Sequence, residues 1–124
     1  MTVRNVTPMV TVRDLDATVT FMTDILGFTV GSRMDGYAFC HHGGPTNAGI
    51  RLLAARPEHD QESLDVECLI YVDVDNVDAF YNDNKAAFDA LPKSQFRTPF
   101  DQPYNQRELH VSHGNLLFLV GHGI

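Results

Sequence analysis

Thr7-Pro8-Met9-Val10-Thr11-Val12-Arg13-Asp14 leads into Leu15-Asp16-Ala17, and about sixty residues later Leu69-Ile70-Tyr71-Val72-Asp73-Val74-Asp75-Asn76 leads into Val77-Asp78-Ala79. Each stretch alternates as a strand with two different faces does. Each ends on a short polar side chain, Asp14 or Asn76, that can accept from the free amides of a first helical turn, and each then opens a helix with hydrophobic-Asp-Ala. A unit stated twice in one chain sets the fold class before any single residue is weighed.

Working outward, Leu15, Val19, Met22, Ile25 and Leu26 share one helical stripe, and Gly27 supplies the stop, so a helix is predicted over Leu15 to Leu26. A strand from about Asn5 to Val12 precedes it. Three strand-like runs follow: Phe28 to Met34, Tyr37 to His42 and Ala48 to Ala55. Asp35-Gly36 separates the first two as a hairpin, and Gly43-Gly44-Pro45 separates the last two as a loop. Arg56 to Ser63 is polar, contains Pro57 and reads as a linker. The second copy runs from a strand at about Asp65 to Val74 into a helix from Val77 to about Leu91, striped by Val77, Phe80, Tyr81, Phe88 and Leu91 and stopped by Pro92. Strands around Gln95 to Arg97, Gln106 to Ser112 and Asn115 to Gly121 complete it, the last two joined by a turn at His113-Gly114. The expected architecture is α+β: two βαβββ modules, about residues 4–55 and 65–122, joined by a linker at about 56–64 within a single domain, 1–124. Each module leaves one sheet face bare of helix, and two such faces can enclose a half-barrel cavity.

Composition bounds the function. With 124 residues, 44% of them hydrophobic and 20% charged, the chain is globular. No run approaches the roughly 18 apolar residues of a membrane span, and the N-terminus lacks the basic-then-apolar pattern of a signal peptide. The expected location is therefore cytoplasmic. Cys40 and Cys68 sit inside strand-like runs and read as buried free thiols, which suits a reducing compartment. A formal charge of −7 argues against nucleic acid, which needs a basic face, and is compatible with a cationic ligand.

Four stretches in order carry a resemblance to a known family: Val12-Arg13-Asp14-Leu15-Asp16-Ala17, Ile25-Leu26-Gly27-Phe28, Val74-Asp75-Asn76-Val77-Asp78-Ala79, and Pro103-Tyr104-Asn105-Gln106-Arg107-Glu108-Leu109 completed by Gly114-Asn115-Leu116-Leu117. Across nearly the whole chain this resembles the vicinal oxygen chelate superfamily, which includes glyoxalase I, extradiol dioxygenases, fosfomycin-resistance enzymes and bleomycin-resistance proteins. Two departures stand out. The family's Asp-Pro-Asp-Gly turn is shortened to Ser112-His113-Gly114, and its usual Gly after the Pro-aromatic pair is Asn105.

Metal-dependent members place ligands at up to four equivalent inner-face positions. Counting seven residues back from Asp14 and Asn76 gives Thr7 and Leu69; the final-strand position, four after Gly114, is Phe118; the remaining one is Arg51. Leu and Phe offer no lone pair, Arg repels a cation and a lone Thr hydroxyl is a poor ligand. No inherited metal and no cofactor are therefore expected. His41, His42, His110 and His113, with Cys40 nearby, leave open a metal site of another kind, while His59 and His122 read as linker and tail.

If Leu109 and Val111 pack under the helix, alternation turns Glu108 and His110 to the inner face. The same argument places Thr7 and Met9, Arg51 and Leu53, Leu69 and Tyr71, and Leu116 and Phe118 inside, with Tyr37 and Phe39 as aromatic walls. Arg51 and Glu108 read equally as an ion pair, His110 as a core histidine and Tyr71 as wall. The resemblance implies a metal-free binding protein of the bleomycin-resistance type, holding a partly aromatic ligand, neutral or cationic, in a cavity completed by a second subunit. The alternative is an enzyme, a lyase or isomerase or dioxygenase-like, using Glu108 and His110 or a displaced metal. No catalytic residue stands out beyond that pair, and nucleic-acid and membrane partners are not expected.

Overall fold

Asp14 and Asn76 cap their helices as the repeat requires: Asp14 Oδ1 accepts from Ala17 N, and Asn76 Oδ1 from Ala79 N, each at 3.0 Å. The computed structural model describes residues 1–44 and 48–124. Two compact units result, Met1–Asp65 and Val66–Ile124. Each is a four-stranded mixed sheet with helix on one face, and the two sheets are separate.

In the first unit β1 (Met9–Val12), α1 (Leu15–Asp24), β2 (Thr29–Met34), β3 (Tyr37–His42) and β4 (Ala48–Ala54) follow in chain order. The strands lie β1-β4-β3-β2, with β1 parallel to β4 and the other pairs antiparallel. Val12, Ala38, Cys40, Ile50 and Leu52 form one buried row, and α1 covers the sheet with Leu15, Val19, Phe21 and Met22. The only buried polar side chain on α1, Thr18, returns its hydroxyl to Asp14 O at 2.7 Å. β1 is shorter than expected. Its pairing still reaches back to Pro8, whose carbonyl accepts from Arg51 N at 2.9 Å, but proline has no N–H to extend the ladder. α1 ends at Asp24, and Gly27 takes φ +74°, turning the chain so that Phe28 N reaches Met22 O at 2.9 Å. Beyond β4, Arg13 holds the polar segment: its guanidinium bonds Asp65 Oδ1 at 2.8 Å and the Gln61 carbonyl at 2.8 Å. The Gly43-Gly44-Pro45 loop ends on Pro45, which lies outside the described residues.

In the second unit β5 (Cys68–Asp73), α2 (Val77–Asp83), α3 (Lys85–Asp89), β6 (Phe96–Gln102), β7 (Gln106–His113) and β8 (Leu116–Gly123) give the order β5-β8-β7-β6, again with the first pair parallel. Leu109, Val111, Leu116, Phe118 and Val120 are buried together with Val77 and Phe88 of the helices. The single helix expected over Val77 to Leu91 is two. Asn84, at φ −140° and ψ 36°, breaks it after Asn82-Asp83, because asparagine and aspartate bond nearby backbone in competition with the helix. β6 is longer than expected and runs through Pro99, at a register shift between Arg97 and Phe100 on the sheet's edge, where a missing donor is tolerated. Asn105, where the family carries glycine, has φ +61°, a left-handed conformation asparagine adopts more readily than other side chains.

Candidate functional site

The polar centre of the second unit is Glu108, whose side chain is 0% exposed. β7 turns Leu109 and Val111 to the helices, so Glu108 and His110 stand on the opposite face. Four donors converge on the carboxylate. Oε1 accepts from Tyr104 OH at 2.6 Å and Gln102 Nε2 at 2.9 Å, and pairs with His110 Nε2 at 2.7 Å; Oε2 accepts from Tyr71 OH at 3.0 Å. The Tyr71 oxygen also lies 3.0 Å from Gln106 Oε1. With one proton to give, the phenol donates to the charged oxygen, and the Gln106 contact closes when that amide turns its NH2 inward.

Burial pushes the Glu108 carboxyl up, but the hydrogen bonds from His110, Tyr104, Gln102 and Tyr71 outweigh it and hold it below its ordinary value. The same contact acts oppositely on the phenols. Burial and then the Glu108 bond push Tyr71 up to about 12, and the bond to Glu108 raises Tyr104. Space for this arrangement comes from Gly121, directly opposite Glu108 in the ladder. A Cβ there would stand 2.6 Å from Tyr71 OH, 2.7 Å from Arg107 O and 2.8 Å from Glu108 Cβ.

Around this centre Phe100 meets His110 edge to face at 4.9 Å, and the Arg97 guanidinium lies over Phe100 at 3.4 Å. Leu117 and Leu119 share the face with Ser112 and His110. Tyr71 and Leu69 join it through their pairing with Leu119 and Leu117, and Leu69 is 64% exposed. Phe118 and Leu116 do not. Phe118 pairs with Val111 and Ile70, is 1% exposed and packs on the helix side, so the expectation that both line the inner face is corrected. A count of four from Gly114 reaches Phe118, but the ladder across the shortened turn pairs Leu117 with Ser112 and Leu119 with His110 and sets Phe118 opposite Val111. Tyr71, Gln102, Tyr104 and His110, which hold the Glu108 carboxylate, all belong to the second unit.

In the first unit Met9, Arg51, Phe39, Tyr37, Leu53 and Thr11 share the face away from α1, by the pairings Met9↔Arg51, Phe39↔Arg51 and Tyr37↔Leu53. Thr7 is half-buried just before β1. The Arg51 guanidinium lies 5.8 Å from the Phe39 ring centroid, and Phe39 lies against His41. At the hairpin end a cavity of about 530 Å³ is lined by Asp35, Gly36, Tyr37, Leu53, Ala54, Arg56 and His59. Arg56 pairs with Glu58 at 2.9 Å, and His59 Nδ1 accepts from Arg56 N at 2.9 Å, so this linker turn forms a wall.

Of the cavity lining, Tyr37 and Leu53 are among the residues that alternation turns to one face, whereas Asp35, Arg56 and His59 come from a turn and the linker. Around Glu108, alternation groups Tyr71 and His110, whereas Gln102, Tyr104, Gln106 and Gly121 carry no such periodic signal, and Tyr104 and Gln106 stand in the sequence only as parts of a turn motif.

The four positions that the resemblance assigns to a metal carry these side chains. Thr7 offers one hydroxyl, Arg51 is a cation, Leu69 is apolar and Phe118 belongs to the core, while the inner-face neighbours of Phe118 are Leu117 and Leu119. Among the described residues, no group of three or more His, Cys, Asp or Glu side chains comes together in a way that would hold a metal ion. His122, read as tail, instead accepts from Val77 N at 2.9 Å, at the start of α2.

A family model described as the Glyoxalase/Bleomycin resistance protein/Dioxygenase superfamily matches residues 5–109. No curated protein matches the chain. Among solved structures, the bleomycin-binding protein of bleomycin-producing Streptomyces verticillus, in complex with copper(II)-bleomycin, is similar at 21% identity and a TM-score of 0.75, over 100% of this chain and 99% of that one. The bleomycin resistance determinant encoded on the transposon Tn5 is similar at 20% identity and 0.69, over 96% and 97%. A lactoylglutathione lyase from Agrobacterium tumefaciens is similar at 16% and 0.70, over 96% and 93%. At such identities the likeness speaks for the fold.

Proposed function

We propose, for a chain that belongs to the Glyoxalase/Bleomycin resistance protein/Dioxygenase superfamily, that it is a metal-free small-molecule-binding protein taking a partly aromatic, neutral or cationic ligand. The observation that carries this is the cavity of about 530 Å³ at the β2–β3 hairpin, with the Tyr37 ring and Leu53 as apolar lining and Asp35, Arg56 and His59 as polar anchors. Its volume lies within the roughly 300–1,000 Å³ of small-molecule sites. Asp35 supplies a carboxylate for a cationic group. The side chains at the superfamily's metal positions support a function that does not depend on that metal.

The active species is a homodimer in this reading. Met9 at 56% exposure and Leu69 at 64% stand on the helix-free sheet faces, where a second subunit would cover them. The bleomycin-binding relatives supply the first probe. Calorimetric titration with bleomycin and a panel of planar aromatic amines is expected to give saturable binding that Tyr37→Ala weakens at least tenfold; no saturable binding by any of them overturns the proposal. Light scattering at micromolar concentration is expected to report the dimer.

A second reading, a lyase or isomerase, is favoured by one contact, the carboxylate–imidazole pair of Glu108 and His110 at 2.7 Å, which is the geometry of an orienter and a general base. Its signature is turnover abolished by His110→Ala with ligand affinity retained.

A further inference from the structure

Glu108 and His110 define more than a contact. An ionised carboxylate only accepts hydrogen bonds. Glu108 is surrounded by donors: two phenols and an amide besides the imidazole. A protonated Glu108 would have to turn an O–H toward one of these, so the shell selects the carboxylate form. His110 Nε2, 2.7 Å from Oε1, must then carry the ring proton. In the neutral imidazole this leaves Nδ1 as a bare lone pair. No described residue hydrogen-bonds Nδ1, and it is not a buried orphan: the only such side-chain atom among the described residues is His41 Nδ1. The His110 side chain is 24% exposed. Its surroundings suit a flat molecule: Leu119 is its ladder partner on β8, and Phe100 on β6 meets it edge to face. The charged and titratable groups facing it are Glu108 on β7, Arg97 on β6, Tyr71 on β5 and Tyr104 in the β6–β7 turn.

We propose that the helix-free face of the second sheet carries a hydrogen-bond acceptor site, the Nδ1 lone pair of His110, which selects planar ligands bearing an N–H or O–H group over isosteric ligands that lack one. Glu108, Tyr71, Tyr104 and Gln102 are positioning residues: they touch no ligand and fix which ring nitrogen is bare. The proposal rests on the reading of the chain as a binder of partly aromatic small molecules and assigns it a second contact point and a donor requirement. The selectivity expected for one neutral hydrogen bond of about 1 kcal/mol is roughly fivefold to tenfold.

The test uses the full chain, labelled with 15N, and a matched pair of probes, indole and 1-methylindole. Without ligand at neutral pH, the long-range imidazole spectrum is expected to show His110 protonated at Nε2 and bare at Nδ1. Indole is then expected to shift Nδ1, and 1-methylindole to leave it unchanged or to bind roughly fivefold to tenfold more weakly. A ring protonated at both nitrogens or at Nδ1 overturns the proposal, as does an equal response, or none, to the two probes. Glu108→Gln, whose amide offers Nε2 either a donor or an acceptor, is expected to mix the tautomers and erase the preference; a preference retained with mixed tautomers overturns the proposal. The tautomer of the unmodified chain decides the matter if that variant does not fold. Should aromatic probes bind at Tyr37 while His110 stays silent, the acceptor site falls and the small-molecule reading stands.

Discussion

Gly121→Ala is a small change with a large expected effect. Two of the atoms a Cβ at this position would meet cannot retreat cheaply: Arg107 O at 2.7 Å is backbone in the β7–β8 ladder, and Glu108 Cβ at 2.8 Å is held by the strand. The third, Tyr71 OH at 2.6 Å, can swing away, but only by leaving Glu108 Oε2. Overpacking of this kind costs about 1–3 kcal/mol, and a hydrogen bond to a charged group lost from a buried carboxylate costs about 1.5–3 kcal/mol. The variant should therefore be roughly 3–5 kcal/mol less stable, which for a chain of this size lowers Tm by about 10–20 °C. Calorimetry or circular dichroism measures this directly. Tyr71→Phe removes the hydroxyl that the new methyl would strike, so the two substitutions share one interaction. A double-mutant cycle should show a coupling of about 1–2 kcal/mol, the double variant being more stable than the sum of the single losses allows. A Gly121→Ala protein as stable as the parent, or strict additivity with Tyr71→Phe, would refute the account of how Glu108 is held.

Three further outcomes follow from named contacts. Glu108 is held below its ordinary carboxyl value of 4.5, so its contribution to stability is complete above that pH and disappears as pH falls through the lower folded-state value; acid unfolding monitored by circular dichroism should shift to higher pH in Tyr104→Phe, and an unchanged midpoint would contradict the sign. Cys40 is fully buried with its thiol raised chiefly by desolvation, whereas Cys68 is half-buried, so a thiol reagent should label Cys68 at least tenfold faster under native conditions; equal rates would show that β3 opens. His122→Ala removes the acceptor of the Val77 amide at the start of α2 and should cost about 0.5–2 kcal/mol in urea unfolding, with no loss meaning that water replaces the imidazole at no cost.

The parts of the fold legible in the sequence were those written in local chemistry. Asp14 and Asn76 cap because a short acceptor before an amphipathic stripe has few other uses, and Asp35-Gly36 turns a hairpin because Gly36 reaches φ +72°. The break at Asn84 was hidden because the stripe from Val77 to Leu91 continues through it, and periodicity does not register one residue leaving helical geometry. The site was legible by face and not by network. Alternation placed Tyr71, Glu108 and His110 together, since one strand's period carries over to its neighbours when the ladder is regular. It failed at Phe118, where the two-residue Gly114-Asn115 turn between His113 and Leu116 sets the register and the count from a longer family turn does not apply. Gln102 and Tyr104 reach Glu108 from a strand end and a turn, and neither position has a period to read. The cavity wall at Arg56 and His59 lay in a stretch whose polarity marked it as linker, although a linker turn that bonds to itself can also line a pocket.

Whether the chain binds small molecules without metal is decided by one titration. Protein stripped with chelator is titrated with bleomycin or a planar aromatic amine while backbone amide resonances are followed. Saturable shifts at Tyr37, Leu53 and Ala54 are expected with no metal restored. Saturable shifts that appear only after a divalent metal is added back, or none at any concentration, would contradict metal-free binding.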